Sequence, residues 1–137
     1  MEFIESPVVE EKLSQYPAAA SKKLRELRAL IVATAEQLEL AKLLETTKWG
    51  EPSYITKTGS TIRMDWKAST PDRYYLFFIC STELVSTFKI LFGEELQFEG
   101  NRAISLSLEE PIPPMIKRCL ALAMTYHKVK HLPLLGA

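Results

Sequence analysis

The stretch Thr61-Ile62-Arg63-Met64-Asp65-Trp66, followed after a short loop by Arg73-Tyr74-Tyr75-Leu76-Phe77-Phe78-Ile79, decides the fold. In the first piece Ile62, Met64 and Trp66 alternate with Thr61, Arg63 and Asp65. A period of two puts the apolar set on one face and the polar set on the other, which is a half-buried strand. The second piece is apolar at both parities, which predicts a central strand covered on both sides for much of its length.

Working outward, the preceding residues are also rich in β-branched and aromatic types: Thr46, Thr47, Trp49, Tyr54, Ile55 and Thr56. Gly50-Glu51-Pro52 interrupts the first of these strands, and Lys57-Thr58-Gly59-Ser60 reads as a hairpin turn. Downstream, Leu96 to Glu99 and Ala103 to Leu108 form two more strands around a Gly100-Asn101 turn. The helices lie outside and between. Ser6-Pro7 opens a short one over about 7–16. Pro17 restarts the chain into a longer one with Leu24, Leu27, Leu30, Ile31, Thr34 and Leu38 as its stripe. Its other side, Lys22, Lys23, Arg25 and Arg28, is expected to face water. Ser81 or Thr82 caps a third helix that buries Leu84, Val85, Phe88, Leu91 and Phe92 and ends at Gly93. Pro113-Pro114 opens the last, whose broad apolar face runs Ile116, Cys119, Leu120, Ala123, Met124 and His127, with Tyr126 flanking. The fold expected is α+β: an antiparallel sheet of about five to six strands packed with N-terminal, middle and C-terminal helices. One domain fills 1–137, with its core over about 17–128 and a loose tail over about 131–137.

Composition narrows the function classes. Of 137 residues, 47% are hydrophobic and 25% charged, and Lys plus Arg equals Asp plus Glu at 17 each. A nucleic-acid or anionic-membrane partner favours a basic excess, so neither is expected. No stretch approaches the ~18 apolar residues of a membrane span, and the acidic start, Met1 to Glu5, is unlike a secretory signal. A cytoplasmic location is expected. Cys80 and Cys119 sit among apolar neighbours and read as reduced, packed thiols.

Specific chemistry is sparse. There is no nucleophile elbow and no glycine-rich phosphate loop, so no catalytic residue is assigned. His127 and His131 are the two histidines, at i,i+4, but no carboxylate lies near them, so no metal site is assigned. One polar cluster stands out. Arg63 and Asp65 share a strand face, Lys48, Trp49, Glu51 and Tyr54 frame the neighbouring turn, and Asn101 and Arg102 come from the second hairpin. Arginine offers paired donors to a carboxylate or phosphate, and Trp and Tyr give flat apolar walls. Converging on an open sheet face, these eight residues would suit a small anionic or aromatic ligand. Cross-strand ion pairing among Lys48, Glu51, Arg63 and Asp65 is the alternative use of the same residues.

Four blocks carry a resemblance: Lys48-Trp49-Gly50-Glu51-Pro52-Ser53-Tyr54, Gly59 through Lys67, Phe98-Glu99-Gly100-Asn101-Arg102-Ala103, and Leu122-Ala123-Met124-Thr125-Tyr126-His127. In this order they resemble the YdhG-like family of small bacterial domains of unknown function, over about Pro17 to Lys128. The resemblance implies a frataxin-like fold, and for some members a grouping with iron chaperones that rests on fold similarity. Frataxin-like iron handling implies an acidic ridge on the first helix and its adjoining strand. Here Lys22, Lys23, Arg25 and Arg28 occupy the long helix, and the nearest acidic residues are Glu2, Glu5, Glu10 and Glu11. The expectation is a cytoplasmic binding or accessory domain, not an enzyme, that takes a small molecule or a partner protein on the open sheet face. It is expected to need no cofactor. An iron chaperone and an enzyme for a small acidic substrate are the alternatives. An exposed sheet edge makes a homodimer an option.

Overall fold

The computed structural model describes residues 1–137. Its elements run β1 (Glu2–Ile4), α1 (Pro7–Gln15), α2 (Ala18–Gln37), β2 (Lys42–Lys48), β3 (Glu51–Ile55), β4 (Ile62–Trp66), β5 (Arg73–Phe77), α3 (Leu84–Phe92), β6 (Gln97–Glu99), β7 (Ala103–Ser107), α4 (Ile116–Met124) and α5 (Tyr126–Val129), followed by a 3₁₀ turn at Pro133–Gly136. The fold is α+β. The strands form one sheet in the order β1-β2-β3-β4-β5-β7-β6. All neighbours pair antiparallel except β1, which runs parallel to β2.

The sheet has seven strands, not five to six. The addition is β1, whose three residues are too few to display an alternation in sequence; their pairing to Lys42, Leu43 and Leu44 is a tertiary fact. It also draws the start of β2 back to Lys42, ahead of the change in residue texture.

The predicted parity holds. Ile62 and Met64 on β4, Tyr74 and Leu76 on β5, and Ile104 and Leu106 on β7 are buried in one apolar cluster with Leu24, Leu27 and Ile31 of α2 and Ile116, Leu120 and Ala123 of α4. At 25 cal/mol per Å², each such side chain contributes about 1.5–3 kcal/mol relative to exposure. Ser6 caps α1 by accepting the Val9 N–H at 3.4 Å, and Pro17 separates α1 from α2. The opposite face of the sheet carries no second layer of elements. There Tyr75, Phe77 and Ala103 form a small separate cluster.

One expectation about α2 needs correction. The basic side of α2 does not simply face water. Arg25 pairs with Glu10 at 2.8 Å, Lys23 donates to the Glu110 carbonyl, and Arg28 turns inward to Glu45. Glu45 lies on the helix-facing side of β2 and is 2% exposed. It accepts from Arg28 Nε (2.6 Å) and Nη2 (2.9 Å), from the Tyr54 hydroxyl (2.8 Å) and from the Ser6 backbone N–H (3.0 Å). Burial alone would raise its pKa; the Arg28 bonds, the Ser6 amide, the Tyr54 hydroxyl and the Arg28 charge outweigh it and hold the carboxyl below the usual value.

The C-terminal region also differs from its sequence reading. His127, expected on the apolar face, is exposed, and Tyr126, expected to flank that face, is buried. The cause is a break at Thr125. The Ala123 carbonyl, which an uninterrupted helix would offer to the His127 N–H, accepts instead from Ser60 N–H at 2.9 Å, and His127 N–H donates to the Thr58 carbonyl at 2.9 Å. The Met124 carbonyl accepts from the hydroxyls of Thr56 and Thr58. Gly59 makes this clasp possible, because a Cβ there would lie 2.6 Å from the Ala123 oxygen and the Met124 Cα. Past the break the tail is not loose throughout: Leu135 is 1% exposed and joins the main cluster, with the turn packed on α3 and α5. Cys119 is buried, its thiol pushed by that burial up to about 12, whereas Cys80 is exposed and not packed as expected.

Glu45 has a testable pH signature. Because it titrates lower in the folded chain than its ordinary value of 4.5, its contribution is complete above that value and is lost as pH falls through the lower folded value. Glu45→Gln is expected to cost about 3 kcal/mol at pH 7, with the deficit shrinking at pH 3. Urea unfolding of both proteins at the two pH values checks this; an equal deficit at both would show that the carboxylate charge is not what matters.

Candidate functional site

The site lies on the helix-free face of the sheet. Cross-strand register builds it: Arg63 of β4 sits opposite Ser53 of β3 and Phe77 of β5, and Phe77 sits opposite Ala103 of β7. Tyr75 and Phe77, two apart on β5, make an aromatic floor with ring centroids 5.8 Å apart. Three cations lie over it. Arg63 is 5.6 Å, Lys67 5.2 Å and Arg102 5.7 Å from the Phe77 centroid, and Lys67 is 5.1 Å from that of Tyr75. The predicted covering of β5 on both sides is therefore met on this side by the stems of charged side chains, not by a second layer of elements. Cations within about 6 Å of a ring are attracted to its face, which offsets part of their mutual repulsion.

Carboxylates meet this group on one flank only. Arg63 Nη1 donates to Glu51 Oε1 at 3.0 Å. Asp65 accepts from the Tyr16 hydroxyl at 2.6 Å. Lys67 and Arg102 have no carboxylate oxygen within 4.0 Å. Burial, above all, raises the Glu51 pKa; Arg63 opposes this and the adjacent Asp65 adds to it. Burial, with Asp65 beside it, also raises that of Tyr16. Residue order alone offers no reason for a shifted carboxylate here; the reason is a neighbour and a degree of burial that only the pairing of β3 with β4 supplies.

A surface cavity of about 400 Å³ opens beside the cations, lined by Trp49, Glu51, Arg63, Phe78, Ile79, Cys80 and Arg102. Arg102 is held there by its backbone, whose carbonyl accepts from Phe78 N–H at 2.8 Å. Trp49 forms the opposite wall. With Gly50 it is the two-residue turn between β2 and β3, since Lys48 pairs directly with Glu51; the glycine does not interrupt a strand but ends one. Both turn residues have positive φ, 58° for Trp49 and 73° for Gly50. Such turns match the twist of the strands and prefer Asn-Gly or Gly-Gly. A tryptophan in the left-handed region costs about 1–2 kcal/mol. Trp49 is 89% exposed, so packing returns little of that.

Of the eight residues predicted, the fold brings Trp49, Glu51, Arg63 and Arg102 to one cavity. Asp65 lies on the same face, tied to Tyr16. Lys48 stands exposed at the hairpin end, opposite Glu51 in register. Tyr54 is not on this face: it points into the core and binds Glu45. Asn101 is turned away to Lys89 of α3, accepting from it at 3.0 Å. Sequence reasoning missed Lys67, Phe77 and Tyr75. The alternation that aligns Arg63 with Asp65, carried two residues further, reaches Lys67. No family model, curated protein or solved structure matches the chain.

If Trp49 is kept for something other than stability, replacing it with a residue suited to its backbone will not harm the fold. Trp49→Asn is expected to leave the melting temperature unchanged or raise it by a few degrees. A fall of several degrees in a thermal melt would show that the ring packs in solution and stabilises the hairpin.

Proposed function

We propose that this chain is a small binding or accessory domain, working inside the cell, that holds a small anionic ligand on the helix-free face of its sheet. The observation that carries the reading is the trio Arg63, Lys67 and Arg102 on the Phe77 ring, two of them without a carboxylate partner. Like charges held together by the fold are a standing attraction for an anion, because a bound anion relieves repulsion that the folded chain otherwise bears. Arginine adds planar paired donors that fit a carboxylate or phosphate. The cavity volume falls within the usual range for small-molecule clefts. The four sequence blocks support a place among the YdhG-like domains as part of the same proposal.

A second reading is an enzyme for a small acidic substrate, favoured by Glu51, a half-buried carboxylate of raised pKa beside Asp65. Glu51→Gln keeps the shape and removes the proton; unchanged turnover of any substrate found would sink that reading. The iron alternative rests on N-terminal carboxylates. Of these, Glu10 is engaged by Arg25 and Glu5 lies 3.7 Å from Arg28, so iron would compete with ion pairs already made.

The binding reading is tested by titrating the ¹⁵N-labelled protein with inorganic phosphate and with acetate at low salt. Amide shifts are expected to cluster on β4, β5 and the turn before β7, with binding weakened about tenfold or more in Lys67→Ala/Arg102→Ala. Loss of the two stems that cover Phe77 and Tyr75 is expected to lower the melting temperature by a few degrees, so the titrations are run well below the variant's own transition. Shifts scattered over the surface, or identical affinity in the double variant, would rule the site out.

A further inference from the structure

We infer that the ligand of this face is a planar aromatic anion, its ring against Trp49 and its carboxylate or phosphate at Arg102. This rests on the anion-binding reading above and deepens it. The cavity is divided by chemistry. One part is charged, with Arg102 carrying no carboxylate partner and Arg63 paired to Glu51; the other is apolar, with Trp49 and Ile79, and both apolar residues are exposed, Ile79 by 42% and Trp49 by 89%. A bare phosphate or acetate would use only the cationic part and leave the two exposed side chains without a role.

Trp49 bears on this independently of the charges. Its backbone is in a conformation that disfavours large side chains, in a turn for which asparagine or glycine is better suited. Folding does not ask for a tryptophan there, since the ring is neither buried nor hydrogen-bonded within the chain. An outlier of this kind points to use, and what an exposed indole at a cavity rim does well is stack on a flat ring. The two-residue turn also fixes the ring's origin, because Lys48 and Glu51 on either side of it are paired in the sheet. The attachment point of the wall is thus fixed, and only the indole's own rotation has to be ordered when a ring arrives.

The experiment compares two pairs of probes that differ in the ring and share the anion. They are adenosine monophosphate against ribose 5-phosphate, and 1-naphthoate against acetate. Each is titrated calorimetrically into the full chain and into Trp49→Asn, a substitution suited to the turn backbone. In at least one pair the aromatic member is expected to bind about tenfold tighter or better. That advantage should vanish in Trp49→Asn while binding of the non-aromatic member stays within about twofold. The pair that responds tells whether the head group is phosphate or carboxylate. Equal binding within both pairs overturns the aromatic inference and leaves the anion site standing. An aromatic preference that survives Trp49→Asn overturns the role of the indole. No binding of any probe to the wild-type chain overturns both readings.

Discussion

Glu45 is where the N-terminal segment, the long helix and the first hairpin are joined. A carboxylate moved from water to an interior loses several kcal/mol of solvation, and it is tolerated only because Arg28 from α2, Tyr54 from β3 and the Ser6 amide at the head of α1 all donate to it. Each donor fixes one element against β2. Phe3 of β1 lies under the Arg28 guanidinium, 5.2 Å from ring to charge, so the parallel edge strand is tied to the same point. The arrangement sets the position of α1 and β1 relative to the β2–β3 hairpin. That hairpin in turn carries Trp49 and Glu51 to the edge of the opposite face. One charge on the covered side of the sheet therefore steadies the residues that line the uncovered side.

The two faces of the sheet solve the same problem by different means. On one, helices α1 to α4 bury the apolar set of each strand in a continuous core. On the other, Tyr75, Phe77 and Ala103 are shielded by Arg63, Lys67 and Arg102, whose hydrocarbon stems exclude water while their charges stay near it. A cover made of side chains is thinner and more mobile than one made of helices. It yields to a ligand without breaking any main-chain hydrogen bond, and its cost in the free state is repulsion among the cations. Both edges of the sheet, β1 and β6, are only three residues long, which limits the ladder available for edge-to-edge association.

Much of this was legible in the residues, and the exceptions share a cause. Strand parity in β4 and β5, the cap at Ser6, the break at Pro17 and the leucine stripe of α2 are local signals, and each reappears in the structure. Arg63 and Asp65 share a face for the same reason. What failed depended on partners distant in the chain. Tyr54 has the parity of the core once β3 pairs with β2, but the turn residues before it hide that parity. The inward turn of Arg28 needs Glu45; its place four after Leu24 and three before Ile31 sets it at the margin of the buried stripe, but the partner it turns to lies beyond the helix. His127 leaves the apolar face and Tyr126 is buried in its place because Ser60 and Thr58 take over bonds that a continuous helix would have kept. The site was half readable: a period of two delivers Arg63, Asp65 and Lys67, while their convergence with Arg102 and Trp49 is a matter of sheet order.

The clasp between the Thr56–Ser60 turn and the end of α4 has a bearing on synthesis. Its two hydroxyl bonds close loops of 68 and 66 residues. A ribosome delivers the turn long before it delivers Met124, so during elongation these groups are served only by water. Closure waits until Met124 has emerged, and it couples the first half of the sheet to a helix made after all the strands. Loops this long are entropically costly to shut and slow to find. The bonds that stop α4 at Thr125 therefore also time the molecule: a chain released short of that point has its strands and its earlier helices, but lacks the stitch that fastens the end of α4 to the hairpin turn.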